Sequence, residues 1–185
     1  MQVTRMLLAY VLIGLAFCAK AADSHVPLSV CDLIVRRTEL SGRMVTVRGA
    51  LAVGGHGVWL AASRDCAYKL ITRGVVWPNI VYLTYPDNQS RNPSDHAGFK
   101  VDWRAVRRAD DEAVKGGYDP KVNNEVATYT GLFVTYQDLD NRVTPNIPGA
   151  VRFGFGPLPS APAELLIKSV KDVVIVWDSQ TDRDP

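Results

Sequence analysis

The sequence predicts a mostly β fold, a five-stranded barrel with flanking helices, and three observations carry that prediction. Five segments alternate apolar and polar residues with the period of a strand. One helical segment falls between the third and fourth of them, and another precedes the first. A glycine recurs at the same point of two strands, in Val45-x-Val47-x-Gly49-x-Leu51 and in Ala127-x-Tyr129-x-Gly131-x-Phe133. Such glycines relieve crowding where barrel strands coil sharply.

Residues 1–21 are expected to be a cleavable signal peptide. Met1–Arg5 is a short start with one positive charge, and Met6–Phe17 is an unbroken apolar run. Ala19 and Ala21 then place small residues at the −3 and −1 positions that signal peptidase requires. The run is shorter than the roughly 18 residues of a membrane span, which argues against a retained anchor. Cys18 raises lipidation as a third possibility, but the bulky Phe17 before it does not suit that processing. Cleavage after Ala21 leaves residues 22–185 as a single OB-like domain, ordered from about 28 to 178, without a membrane span and secreted or periplasmic.

Residues 22–28 read as an extended lead-in. Ser29 caps a helix running to about Leu40: Asp32 completes a capping box, Val30, Leu33 and Ile34 share a face, and Gly42 stops it. Met44–Leu51 is the first strand. Gly54-Gly55-His56-Gly57 turns into a second, Val58–Ala61, and Asn79–Tyr85 is the third. Pro86–Asp95 is polar and turn-rich. Asp102–Lys115 reads as a helix with Trp103, Val106, Ala113 and Val114 near one face, and with Arg107/Asp111 and Arg108/Glu112 as i,i+4 charge pairs. Val126–Tyr136 is the fourth strand, followed by a loop from Asp138 to Pro148. The Gly/Pro-rich stretch Phe153–Pro162 leads into the fifth strand, Ala163–Trp177, which is β-branched with a break near Lys171-Asp172. The tail beyond it is expected to fray.

Three strands, a helix and two strands are the layout of the OB-fold, a small Greek-key barrel; another α+β sandwich is the alternative. The run Val30-Cys31-Asp32-Leu33, then Gly42 to Gly49 (GRMVTVRG), Val58-Trp59-Leu60 and Cys66, resembles small secreted bacterial proteins with an OB-like barrel. The late Gly154-Phe155-Gly156-Pro157-Leu158 and Pro162-Ala163-Glu164-Leu165 are similar to their last-strand approach. These are turn and core positions at both ends of the mature chain. Members of that group have no assigned biochemical role, so the resemblance implies a fold and an envelope location, and no activity.

Arg5 and Lys20 leave with the leader, so the mature chain holds 19 basic and 19 acidic side chains. A nucleic-acid partner normally requires a basic excess that displaces counterions, and none is present. Cys31 and Cys66 are the two remaining cysteines. In an oxidising compartment they form a disulfide most simply, with two buried thiols as the alternative. Their spacing excludes a CxxC redox or zinc motif.

Catalytic chemistry finds little support. His25, His56 and His96 lie in a lead-in, a glycine turn and a polar loop, no G-x-S-x-G elbow surrounds any serine, and the histidines lack zinc-ligand spacing. Asp138-Leu139-Asp140-Asn141 begins like a calcium loop, but its sixth and twelfth positions are Val143 and Gly149, where glycine and glutamate are needed. Gly154-Phe155-Gly156 lacks the third glycine of a dinucleotide loop. No catalytic residue, cofactor or metal is expected.

A binding face is the sharper expectation. Val58 and Leu60 suit the core, as do Val81 and Leu83, so Trp59 and Tyr82 should face outward, and Arg48 shares that side by parity. Arg48, Trp59 and Tyr82 are therefore expected to form a ligand platform, the use OB barrels make of their middle strands. A covering N-terminal helix would instead make the rings core. The chain is read as a non-enzymatic envelope module for a protein, peptide or glycan. The rival is a small periplasmic hydrolase with loop-borne residues, Asp95 and His96 foremost.

Overall fold

The computed structural model describes residues 26–54, 57–85, 99–121, 123–144, 151–156 and 161–177. The leader, all three histidines, Asp95, the segment 86–98 and the C-terminal tail lie outside the described residues. In chain order the elements are β1 (Leu28–Ser29), α1 (Val30–Val35), α2 (Arg37–Leu40), β2 (Arg43–Gly54) and β3 (Gly57–Ala61). Then come β4 (Ile71–Thr72), β5 (Val75–Val76), β6 (Ile80–Thr84), α3 (Trp103–Lys115) and β7 (Asn123–Thr135). A short 3-10 turn (Asp140–Arg142), β8 (Val143–Thr144), β9 (Val151–Arg152) and β10 (Ala163–Trp177) complete the described elements.

Strands β2, β3, β6, β10 and β7 pair in that order, and β7 returns to β2, so the sheet closes into a five-stranded barrel. Within the barrel only β6 and β10 run parallel; the other pairings are antiparallel. With α3 between its third and fourth strands, the architecture is an OB-fold-like barrel with flanking helices. Inward positions are those that alternation picks out: Val45, Val47, Leu60, Val81, Leu83, Tyr129, Phe133, Leu165 and Ile167 are buried. The two recurring strand glycines both lie at close approaches. A Cβ on Gly131 would overlap the Leu166 carbonyl oxygen, and one on Gly49 would come within 2.7 Å of Val30 Cγ2.

The N-terminal helix starts as predicted. The Ser29 hydroxyl accepts from Asp32 N at 3.0 Å, and Asp32 Oδ2 accepts from Ser29 N at 2.9 Å. It then breaks at Arg36 into α1 and α2, where a single helix was expected. Val30, Leu33 and Ile34 enter the core, and Cys31 is disulfide-bonded to Cys66, just after β3, with Cα atoms 5.8 Å apart.

Helix α3 departs from expectation in its face. Val106, Ala109 and Ala113 point to the core, whereas Val114 is 76 % exposed. Trp103 is partly exposed and stacks on Tyr85 at 5.7 Å between ring centroids. Neither predicted i,i+4 charge pair closes to ion-pair distance. In β10 the expected break is real. The register with β7 shifts between Lys171 and Val174, and Asp172 adopts a left-handed φ of 56°, which Asp tolerates better than most residues.

Candidate functional site

Alternation sends Trp59 of β3 and Tyr82 of β6 to the outside, because their neighbours Leu60 and Val81 are fully buried. The two are directly opposed in register, with ring centroids 6.2 Å apart and planes tilted by 59°. That separation and tilt suit the aromatic quadrupoles. Both rings remain half-buried. The expectation that they share one face is met.

Two loops converge on this pair, and glycine lets them approach. From the β2–β3 turn, a Cβ on Gly57 would lie 2.8 Å from Tyr82 Cε2, and one on Gly54 would lie 3.1 Å from Trp59 Cζ3. From the segment before β10, a Cβ on Gly156 would lie 3.1 Å from Tyr82 Cδ2. Gly57 and Gly156 also hold positive φ, 148° and 93°, so a side chain there meets backbone strain as well as the ring. These are the two loops that flank the ligand face of OB barrels. The second is pinned from behind. Phe155 is buried, stacks on Tyr136 at 4.5 Å, and exchanges backbone hydrogen bonds with Ala161, while Arg142 lies 4.0 Å over the Tyr136 ring.

Two polar groups in this region escaped the sequence reading. Trp59 Nε1 is buried and donates to no partner among the described residues, and an unmet buried donor costs about 1–3 kcal/mol. Glu164 opens β10 opposite Tyr82 in the parallel pairing, so Trp59, Tyr82 and Glu164 form one row across three adjacent strands. Its side chain is 7 % exposed, and Oε1 accepts from the Thr84 hydroxyl at 2.6 Å. Its place in the alternation, between inward Ala163 and Leu165, was the available signal.

Arg48 does not join the rings. It precedes by four residues Ala52, the β2 partner of Trp59, which is roughly 13 Å along a strand. Nη1 instead donates to Thr128 Oγ1 at 3.1 Å and to the Asp172 carbonyl at 3.2 Å, tying β2 to β7 and to the β10 irregularity. From helix α1, Val30 packs against Gly49, which belongs to the inward row of β2.

A further polar group lies inside. Glu125, on the inward face of β7, is buried and accepts from the Tyr129 hydroxyl at 3.1 Å. Burial is the main force pushing its carboxyl above the ordinary range, and Asp110 on α3 adds to it. Tyr85 is pushed up to about 12, by burial first and then by Asp110 and Glu125. Among the described residues no cluster of three or more His, Cys, Asp or Glu could hold a metal ion. Compared with protein-family models, with curated proteins and with solved structures, the chain matches none.

Proposed function

We propose that this chain is an exported, non-enzymatic binding module that takes a protein, peptide or glycan partner on the outer face of β3 and β6. The single observation that carries the reading is the Trp59–Tyr82 pair, held half-open on the barrel exterior between two glycine-bearing loops. Aromatic faces of this kind give stacking area at little conformational cost. Export is supported by the leader's tripartite pattern and by the Cys31–Cys66 disulfide, which is compatible with an extracellular or periplasmic location. No described helix is long and apolar enough to cross a membrane. The resemblance to small secreted OB-like proteins of the bacterial envelope belongs to the same reading.

The test is to probe arrays of envelope-derived peptides and oligosaccharides with the protein and with its Trp59→Ala and Tyr82→Ala variants. Binding that falls at least tenfold in both variants, while circular dichroism retains the barrel signature, is the expected result. A ligand whose affinity ignores both substitutions moves the site elsewhere and ends this reading.

A further inference from the structure

The face around Trp59 and Tyr82 carries more than two rings. Glu164 lies in the same row, one strand beyond Tyr82, and the residue is more than nine-tenths buried. A carboxylate in that position normally has a cation beside it, because burying an unpaired charge is costly. Among the described residues no ion pair to Glu164 is present: the ion pairs there join Arg36 to Glu39 and Lys171 to Asp172. Its hydrogen bond comes from a neutral hydroxyl, that of Thr84. Arg48, the one cation expected nearby, is committed to Thr128 and the Asp172 carbonyl.

Resting on the proposed binding face, we infer that its ligand is cationic, and that the row Trp59–Tyr82–Glu164 receives a lysine or arginine side chain of a bound peptide. The two rings offer π faces, which attract an ammonium or guanidinium group within about 6 Å of a centroid. The carboxylate beyond them supplies the countercharge. Charge favours a side chain over a sugar, because a neutral pyranose brings no countercharge to the carboxylate.

The test uses four soluble peptides of glycine and serine, identical except for a central lysine, arginine, norleucine or glutamate. Each is titrated into the folded protein while the Trp59 indole N–H resonance is followed by NMR. The lysine or arginine peptide should saturate the shift, bind at least tenfold more tightly than the norleucine peptide, and weaken as salt is raised. Glu164→Gln, which keeps an acceptor for Thr84, should lose at least tenfold for the cationic peptides. Equal binding of the lysine, arginine and norleucine peptides, or no shift with any cationic peptide, overturns the inference, and both comparisons stand even if a variant fails to fold. A neutral oligosaccharide that binds and is lost in Trp59→Ala would overturn the cation while leaving the binding face intact.

Discussion

At the scale of single residues, buried charge is where this barrel departs from an apolar filling. Glu125 takes an inward position that alternation reserves for an apolar side chain, with Tyr129 as its hydrogen-bond partner and Asp110, Tyr85 and Tyr118 as its titratable neighbours. Its folded carboxyl titrates above the ordinary value of 4.5 because burial disfavours the anion. A raised acid pKa means that the folded state binds the proton more tightly than the unfolded chain. The ionised group therefore costs stability above the folded pKa, and that cost fades as pH falls toward the unfolded value. Glu125→Gln removes the titration and leaves the carbonyl to accept from Tyr129. The variant should melt no lower than the parent at about pH 8, and the two should converge toward about pH 4.5. Melting curves at several pH values decide it; a variant that is less stable than the parent at about pH 8, by a margin that shrinks as pH falls, would make the anion a structural asset. The sequence could not show this group, because alternation places Glu125 inward only once the strand is known to begin at Asn123, three residues before the predicted start.

At the scale of elements, the legible features were those set by local chemistry. The capping box at Ser29 and Asp32, the five long strands and the irregularity at Lys171-Asp172 all follow from neighbours in sequence. The hairpin β4–β5 was missed because its turn needs Arg73 at a φ of 47°, a conformation that its side chain does not advertise. The face of α3 was misjudged because bulky Trp103 and Val114 outweighed Ala109 in a reading by hydrophobicity, whereas close packing against a strand favours the smaller residue. For the binding face, parity gave the correct side for Arg48 but said nothing of its distance from Trp59 along the barrel. The glycine echo is the sharpest element-level prediction. At Gly131 an added methyl meets the Leu166 carbonyl of β10, and backbone cannot yield without disturbing the β7–β10 register. At Gly49 it meets a Val30 side chain borne on a short helix that can shift. Gly49→Ala should cost about 1–3 kcal/mol, the usual range for overpacking, and Gly131→Ala more than that. Urea unfolding of both variants checks the order; Gly131→Ala at or below Gly49→Ala would mean that closure does not depend on this glycine.

For the whole molecule, closure of the barrel leaves its N-terminal elements to be held by other means. β1 contributes two residues of parallel pairing to β2, and α1 and α2 span six and four residues, too short to be stable alone. Their apolar residues Val30, Leu33, Ile34 and Leu40 nevertheless belong to the core. The Cys31–Cys66 bond joins α1 to the chain just beyond β3, so two distant segments of the fold are tied where non-covalent pairing is thinnest. With the cysteines 35 positions apart in sequence, the chain-entropy estimate of the stabilisation is about 3–4 kcal/mol. A Cys31→Ser/Cys66→Ser double variant should therefore lose about that much in urea unfolding, close to half the stability of a marginal domain. If the bond acts mainly on the unfolded chain, the variant's folded state should keep its β-sheet dichroism and the Trp59 indole resonance, while its m-value rises as the unlinked chain exposes more surface. Loss of the Trp59 signal along with the bond would mean that the covalent link is needed to shape the folded barrel, and the entropic account would fall.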